Sequence, residues 1–288
     1  MESITLYAYA KLNLALAVLG KREDGYHNME MLMQSVSLHD TLRLARAEDG
    51  IRLFCGRSDL SGGNDNIAYR AAEQFFQFTG RKGGVEIHLE KKIPLQAGMA
   101  GGSADAAAVL TGLNFLYDAG LSQDQLSALG VKLGADVPFC LTGGTAHVTG
   151  MGERVAPVSP LPSCYFVIVK PEAGISTGAA FQAVDNCTAL RKVDVSRALK
   201  GVSYADMHEI AVSMDNTFEQ VTVLDEVFDI KRQLLQKGAL GSLMSGSGSA
   251  VFGLFQEKAA ANAAREAFSP LYREVYLTEP VDCGVKIL

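Results

Sequence analysis

The chain has 288 residues, of which 48% are hydrophobic and 20% are charged, and its formal net charge at pH 7 is -6. This composition is typical of a globular protein with little disorder, and the length allows two domains or one large domain. The acidic balance, with a pI near 5.4, argues against nucleic acid as a partner, and no stretch reaches the length of a membrane span. A small-molecule partner is therefore expected, and the sequence leaves the oligomeric state open.

Five cysteines are scattered along the chain and never occur as a C-x-x-C pair: Cys55, Cys140, Cys164, Cys187 and Cys283. The odd number and wide spacing argue against a disulfide framework and against a zinc site, so reduced thiols in a cytoplasmic protein are expected. The apolar run from Leu12 to Gly20 resembles a signal-peptide core, but Glu2 stands where a basic segment would be needed. Its period-two alternation favours a strand.

The first predicted element is a strand from Ile4 to Val18, in which alternation places Lys11 and Asn13 on the same face. Burying a lysine on an otherwise apolar strand is costly unless it meets an anion. This face is therefore either an anion site or a solvated surface. An anionic substrate needs local positive charge, for which Lys11, Lys21 and Arg22 are the candidates.

The rest of the chain mixes strands, glycine-rich loops and helices. A hairpin loop places Tyr26 and His27 on an exposed edge. Further strands are predicted at Met31 to Leu44, Ile51 to Phe54, Gly84 to Glu90, Gly143 to Val148, Cys164 to Lys170, Ala250 to Phe255, Val275 to Leu277 and Val285 to Leu288. Helices are predicted at Asn64 to Phe78, Ser103 to Leu116, Ser122 to Gly134, Ala179 to Val184, Tyr204 to Val212, Asn216 to Val221, Glu226 to Gln236 and Ala259 to Phe268. This order predicts an α+β fold with a mostly antiparallel first sheet.

Local signals refine two of these elements and the domain boundary. The first helix is expected to end at Gly80 and to turn four residues inward, namely Ile67, Ala71, Phe75 and Phe78. Ser122 and Gln125 have the spacing of a capping box at the start of another helix. The proline-rich segment from Pro157 to Pro162 is interpreted as a connector, which divides the chain into domains at residues 1–156 and 157–288.

The stretch from Pro94 to Leu116 organises the first domain. Three glycines and three alanines fall between Ala97 and Ala104, so a loop poor in side chains leads into a helix. The first amides of a helix have no intrahelical partner and lie at the positive end of its dipole, which suits a phosphate group. A close-packed turn is the alternative, and neither G-x-x-x-x-G-K-[ST] nor G-x-G-x-x-G occurs in the chain. Ser103 is expected to cap this helix and to offer its hydroxyl to a phosphate or to its metal ion.

Asp136 stands in an apolar turn between the end of a predicted helix and Pro138. A helix C-terminus disfavours negative charge, so this carboxylate predicts a nearby cation such as Lys11 or a bound metal ion. An Asx turn before the proline is the alternative.

Three segments together resemble the GHMP kinases, a family named for galactokinase, homoserine kinase, mevalonate kinase and phosphomevalonate kinase. Pro94 to Ala104 resembles the phosphate-binding loop of that family, and Leu243 to Phe252 resembles its C-terminal glycine motif. Ala10 to Leu14 is similar to the third motif. One departure is Ser249, where the family usually has proline, and this change is expected to loosen the turn without removing its N–H groups. The resemblance implies a two-domain α+β fold, with mostly antiparallel sheets and an active-site cleft between the domains.

The resemblance also implies an activity, ATP-dependent phosphorylation of an alcohol with Lys11 and Asp136 as the catalytic pair. Asp136 would take the proton of the acceptor hydroxyl, and Lys11 would neutralise charge on the γ-phosphate. The loop that would bind ATP comprises Pro94, Leu95, Gln96, Ala97, Gly98, Met99, Ala100, Gly101, Gly102, Ser103 and Ala104. Mg²⁺ is expected with ATP and would be held near Ser103, although the sequence contains no metal cage.

Within the family, Ala10 to His27 and Gly143 to Glu153 resemble the kinases whose acceptor is the 2-hydroxyl of a cytidine diphosphate-linked methylerythritol. A mevalonate-type or homoserine-type acceptor is the alternative. The implied substrate-binding residues are Asn13, Tyr26, His27 and Phe181, with Tyr26 and Phe181 on either side of the cytosine. Phe181 fits a core position equally well, because its helical neighbours are apolar.

A different chemistry is indicated by Gly174 to Gly178, which fits the G-x-S-x-G pattern of serine hydrolases with Ser176 as nucleophile. Against it, Pro171 to Ala173 separate the preceding strand from the motif, where the nucleophile turn of such enzymes is tight. His208 is the only histidine downstream that could act as the base.

Overall fold

A computed structural model describes residues 2–56 and 60–288. Over these residues the chain forms twelve strands: β1 (Ser3–Lys21), β2 (His27–Ala47), β3 (Ile51–Cys55), β4 (Gly84–Glu90), β5 (Thr145–Gly150), β6 (Arg154–Pro157), β7 (Tyr165–Lys170), β8 (Asp215–Asn216), β9 (Gly241–Met244), β10 (Val251–Phe255), β11 (Glu274–Thr278) and β12 (Val285–Ile287). The same residues form nine α-helices and a short 3-10 helix at Phe218–Val221. The α-helices are α1 (Ile67–Thr79), α2 (Gly101–Leu116), α3 (Gln123–Leu133), α4 (Val137–Thr142), α5 (Thr177–Asn186), α6 (Val195–Ser203), α7 (Met207–Val212), α8 (Asp225–Gln236) and α9 (Lys258–Phe268).

The first sheet is built around the long antiparallel pair β1 and β2. Its strand order is β12-β1-β2-β4-β3, with β5 and β6 branching from β2 and the two-residue β8 lying parallel to β1. Apart from β8 and the pair β3 and β4, neighbouring strands of this sheet are antiparallel, as the sequence predicts. Helices α1 and α2 pack on each other, and α2 also packs on β1 and β2.

The pairing of β1 with β2 shifts register at three places, between Tyr9 and Ala10, between Asn13 and Ala15, and between Val18 and Gly20. Such irregularities twist a strand and redirect its side chains. Between them β1 is buried on both faces, and Lys11 has only 4% of its surface exposed. The alternative of a solvated outer face for Lys11 is therefore wrong.

The second sheet has the order β11-β7-β10-β9 and is antiparallel throughout. Helices α8 and α9 cover it. Two segments from the second half of the chain nevertheless return to the first sheet, because β8 and β12 both pair with β1. The observed fold is thus the predicted α+β arrangement of two sheet-based layers, while a boundary at residue 156 stays a prediction.

Three local predictions are confirmed and two need correction. Helix α1 ends at Gly80, which adopts φ +62° and donates to the carbonyl of Phe76, and Ser122 and Gln125 form both bonds of a capping box. The strand predicted at 84–90 is present. Phe78 is 51% exposed rather than inward, because it lies in the last turn, beyond the buried stripe that ends with Phe75.

The second correction concerns Ser103, which does not cap α2. The helix begins two residues earlier, at Gly101, with Ala100 as N-cap in the left-handed region at φ +57° and without a side-chain cap. Two consecutive glycines can enter the helix before the serine because no side chain at Gly101 or Gly102 obstructs the turn. Residues 2–56 and 60–288 contain no helix with the length and apolar character of a membrane span.

Candidate active site

A cavity of about 600 Å³, called the cleft below, lies where the two glycine segments meet the first sheet. Its lining includes the glycine loop at residues 94–103, the side chains of Lys11 and Asn13, and Asp136 at the start of α4. The C-terminal glycine segment at residues 246–248 and the residues before α5 complete the wall. The structure therefore brings Lys11, Asp136 and the glycine loop to one place.

The amides of the glycine loop are free. Among the described residues, no hydrogen bond uses the backbone N–H of Gly98, Met99, Gly101, Gly102 or Ser103 as donor. The first intrahelical bond of α2 is the one from Ala104 to Ala100. Because free N–H groups at a helix start can donate to an oxygen-rich group, this row of amides is suited to an acceptor-rich ligand.

The carbonyl groups of the same loop are occupied by the protein. The carbonyl of Gln96 accepts from the Ser249 amide at 3.3 Å, and that of Gly98 accepts from the Ser245 hydroxyl at 3.0 Å. The carbonyl of Met99 accepts from the Lys11 amide at 3.2 Å. Since the oxygen atoms are engaged and the amides are not, the loop presents positive dipole ends to the cleft.

Lys11 lies on the wall of the cleft beside the glycine loop and has little freedom. Its Nζ donates to Asn13 Oδ1 at 2.5 Å, which confirms that the two side chains share a face. A Cβ atom on Gly246 would come within 3.2 Å of this Nζ, so the C-terminal glycine segment closes over the ammonium. Asn13 is fully buried, and its amide nitrogen lies 3.3 Å from the Met31 sulfur.

Asp136 precedes α4 and does not cap it. The residue occupies the N-cap position of Val137–Thr142, but its side chain makes no capping hydrogen bond, so it does not form the alternative Asx turn. Within the described residues, its carboxylate accepts no hydrogen bond and forms no ion pair, including none with Lys11. The carboxylate is half-buried and lines the cleft, where it is available to a ligand.

The buried thiol of Cys140 is influenced by the charges of both Asp136 and Lys11. Its thiol is fully buried on α4, one turn after Asp136. Burial raises the pKa of Cys140, the negative charge of Asp136 raises it further, and the Lys11 ammonium opposes both. The charges of Asp136 and Lys11 thus act in opposite directions on the same buried thiol.

An aromatic cluster forms another part of the wall. The rings of His27 and Phe181 are stacked, with centroids 4.6 Å apart and planes at 17°, and Phe218 meets Phe181 edge-on. Phe181 and Phe218 line the cleft, whereas Tyr26 is 63% exposed and does not. His27 is buried against Phe181, so its predicted position on an exposed edge is wrong, and its Nε2 contacts Asp185 Oδ1 at 2.7 Å. Phe181 is therefore not a fully buried core residue.

The positive charge expected from Lys21 and Arg22 is already paired. Lys21 forms an ion pair with Asp185 at 2.7 Å, and Arg22 pairs with Asp24 at 2.8 Å. The hydrogen bond from Lys21, followed by that from His27, lowers the pKa of Asp185. Among the described residues that line the cleft, Lys11 is the one side chain with a full positive charge.

Two positioning residues escape the sequence analysis, because their role depends on contacts distant in sequence. Ser245 is fully buried; its hydroxyl accepts from the Asn13 amide at 3.3 Å and donates to the Gly98 carbonyl. Asn216 donates to the carbonyls of Met244 and Gly246, both at 2.8 Å. The glycine motif that follows Ser245 is the one sequence signal that could have indicated a role for this serine. No local sequence pattern indicates a role for Asn216.

Ser249 makes contacts that its sequence context did not predict. Its amide donates to the carbonyl of Gln96 in the glycine loop, and its hydroxyl donates to the carbonyl of Ala173 at 2.5 Å. A proline at this position would have no N–H group for the first of these bonds. The serine therefore links the two glycine segments and the loop before α5.

The hydrolase motif does not form a catalytic pair. Ser176 is exposed at the N-cap of α5 and lines the cleft, and His208 lies on the surface of α7. No hydrogen bond among the described residues joins Ser176 to a histidine. The described residues also contain no group of three or more His, Cys, Asp or Glu side chains that could hold a metal ion.

The family is established by comparison with known proteins. Residues 66–144 match the model for the GHMP kinases N terminal domain, and residues 203–273 match that for GHMP kinases C terminal. The chain belongs to the GHMP kinase family, whose members take a phosphoryl group from ATP.

Within the family, the similar proteins include several named 4-diphosphocytidyl-2-C-methyl-D-erythritol kinase. The one from Clostridium novyi (strain NT) is 40% identical over 276 residues, which cover 95% of this chain and 99% of the relative. The one from Moorella thermoacetica is 43% identical, with 96% and 99% covered. A crystal structure of 4-(cytidine 5'-diphospho)-2C-methyl-D-erythritol kinase superposes with a TM-score of 0.82 at 35% identity, covering 96% and 98% of the two chains. Homoserine kinase from Cytophaga hutchinsonii has a TM-score of 0.83 at 23% identity, with 100% and 98% covered, which shows the shared fold.

Proposed function

We propose that this chain transfers the γ-phosphoryl group of ATP to the 2-hydroxyl of 4-(cytidine 5'-diphospho)-2-C-methyl-D-erythritol, a step in the non-mevalonate route to isoprenoid precursors. The observation that carries the proposal is the row of free amides at the start of α2, which faces the same cleft as Lys11 and Asp136. The substrate assignment is supported by relatives of about 40% identity that match over nearly their whole length.

The chemistry follows from these groups. Asp136 accepts the proton of the attacking hydroxyl, for which its free carboxylate is suited. Lys11 lies where it can offset charge that spreads over the γ-phosphate oxygens. The amides of residues 98–103, with those of Gly246 and Ser247, bind the phosphate chain without having to reorganise during the reaction.

Mg²⁺ belongs to the proposal because the cleft is short of positive charge. A nucleoside triphosphate would meet the single positive charge of Lys11 there, and the negative charge of Asp136 offsets that of Lys11. The protein supplies few ligands; the hydroxyl of Ser103 lines the cleft and makes no hydrogen bond with the described residues, so it is free for a phosphate-bound ion. Such an ion would neutralise phosphate charge, and the phosphates themselves would provide most of its oxygen ligands.

For the acceptor we propose Asn13, Tyr26, His27 and Phe181 as binding residues. Asn13 and Phe181 line the cleft, His27 supports Phe181 from behind, and Tyr26 stands on the adjoining hairpin. A flat base would use the face of Phe181 that His27 leaves open.

We further propose domains at 1–156 and 157–288, with nucleic acid and membranes excluded as partners. Cytoplasmic location is proposed from the five free thiols.

The decisive experiment offers the protein ATP and Mg²⁺ with a panel of alcohols that includes the cytidine compound, mevalonate and homoserine. We expect ADP release to depend on the cytidine compound alone. Preferential turnover of mevalonate or homoserine would replace the proposed acceptor by that of another kinase of the same family.

A fluorophosphonate probe tests the hydrolase alternative. It should leave Ser176 unlabelled, and stoichiometric labelling there would favour hydrolase chemistry.

A further inference from the structure

A buried ionic cluster ties together the two ends of the glycine loop. It consists of Lys91, directly after β4, Asp40 in β2 and Asp105 in the second turn of α2, and is called the ionic clamp here. All three side chains are withdrawn from solvent, with exposed fractions of 1%, 0% and 5%. Because Lys91 precedes the loop and Asp105 follows it, their contact closes the base of the loop.

The clamp holds the entrance of the loop through several bonds. Lys91 Nζ donates to Asp105 Oδ2 at 2.7 Å and to Asp40 Oδ2. The other oxygen of Asp40 accepts from the amides of Lys92 and Ile93 at 2.5 Å and 2.8 Å. Hydrogen bonds in which a donor or acceptor is ionised are shorter and stronger than neutral ones. The backbone that leads into Pro94 is thus fixed to β2 and to α2 at once.

The ammonium group lies directly beneath the first helical residue. A Cβ atom on Gly101 would come within 3.2 Å of Lys91 Nζ and within 3.0 Å of the Ile93 side chain. The backbone of Gly101 therefore packs against the clamp, and the position of Lys91 determines how far Gly101 lies from the cleft. The free amides that belong to helix α2 begin at this residue.

The clamp is poorly explained by stability alone. It sets two carboxylates against one ammonium, and the Oδ1 atom of Asp105 is buried without any hydrogen-bond partner among the described residues. Burial raises the pKa of Asp105, and Lys91 only partly opposes this. Apolar residues of similar size commonly stabilise a core as well as a buried ion cluster does. Its distinctive property is the fixed geometry that it gives to the turn above it.

We propose that Asp105 and Lys91 are positioning residues for the nucleotide: by closing the loop they aim the amides of residues 101–103 at its phosphate chain. The inference rests on the proposed function only in taking a nucleotide as the ligand. It assigns neither residue a contact with substrate. Displacement of binding groups by about 1 Å is enough to weaken an oriented site strongly.

The test compares Asp105→Ala with Asp105→Asn and with Asn114→Ala, a matched control at the far end of the same helix. Asn114 bonds to the backbone of Leu121 through both its oxygen and its nitrogen, so its loss also removes polar contacts from α2. Asp105→Ala should raise the KM for ATP about tenfold and leave the KM for the acceptor within about twofold. Asp105→Asn should recover most of this loss, because its oxygen can still accept from Lys91, and Asn114→Ala should only lower the melting temperature.

A second readout makes the result independent of the acceptor. Binding of a fluorescent ATP analogue to each variant, without any alcohol present, should weaken for Asp105→Ala in the same proportion as KM. Equal rises in both KM values, or unchanged analogue binding, would overturn the proposal. Should Asp105→Ala not fold, Asp105→Ser replaces it, because its hydroxyl is one bond shorter than the carboxylate oxygen. If the parent chain binds the analogue but phosphorylates none of the alcohols, the proposed function fails and the clamp remains tested.

Discussion

At the residue scale, Asp136 is unusual because an N-cap aspartate normally bonds to its own helix. Here the carboxylate gives up that bond, worth about 1 kcal/mol in other helices, and faces the cleft. The sequence indicated that this carboxylate needed an explanation, since it stood in an apolar turn. It could not reveal that another helix begins there, because α4 is only six residues long and so shows no helical periodicity.

We predict that Asp136→Asn lowers kcat by about 10² to 10⁴ while nucleotide affinity stays within a few-fold. The amide has the shape of the carboxylate but cannot accept the proton of the hydroxyl. Steady-state kinetics with the cytidine acceptor and separate nucleotide-binding measurements check both parts. Phosphoryl transfer at the parent rate by this variant would remove the general base from the mechanism.

The cysteines provide a test that needs no substrate. Burial raises the pKa of Cys164 to about 12, and burial together with Asp136 raises that of Cys140. Both thiols therefore stay protonated at pH 8, where a thiolate is needed for alkylation. Iodoacetamide should label the half-buried Cys187 before either of them, as mass spectrometry of the native protein would show. Early labelling of Cys140 would contradict the buried position of α4.

At the element scale, long periodic segments were predictable and short ones were not. Helix α1 and strand β4 follow from periodicity and end signals, whereas the four-residue strands β6 and β9 are stabilised by their sheet neighbours. The glycine loop was recognisable from its composition. Its geometry was not, because the loop is held by hydrogen bonds from residues distant in sequence, such as those of Lys11 to Met99 and of Ser249 to Gln96.

The element-scale prediction compares two glycines that both have positive φ. Gly98, at φ +69°, would place a Cβ atom 1.9 Å from the Ser245 carbonyl oxygen, whereas Gly80, at φ +62°, has open space around it. Gly80→Ala should cost about 1 to 2 kcal/mol of stability from backbone strain alone and leave the KM for ATP unchanged. Gly98→Ala should cost more and also raise that KM, because the two glycine segments are forced apart. Thermal unfolding and ATP kinetics distinguish the variants, and equal behaviour would contradict the packing.

At the scale of the whole molecule, the mixed strand and helix order predicted the α+β class, and the proline-rich connector indicated where the chain leaves the first sheet. What could not be predicted is the return of β8 and β12 to β1. The pattern of Val285 to Leu288 indicates a strand but not its partner, and the two-residue β8 has no pattern of its own. Their position is determined by the open edge of β1, which they cover.

This return predicts that residues 1–156 do not fold stably alone. Without the second half, β1 loses its pairing with Val285–Ile287 and the bond from the Tyr9 amide to the Gly284 carbonyl. The unpaired edge would favour aggregation. Circular dichroism and urea unfolding of the fragment should show no cooperative transition, and co-expression with residues 157–288 should restore one. A cooperative transition in the fragment alone would establish an independent first domain.

The meeting of the two glycine segments has a thermodynamic consequence. Gly98 packs closely against the backbone of Ser245. A ligand that contacts both segments can therefore bind only the folded chain and not either half alone. By mass action such a ligand adds about 2.7 kcal/mol to the free energy of unfolding when its concentration is a hundred times its dissociation constant. Nucleotide supply would then govern how long the polypeptide survives proteolysis as well as how fast it turns over.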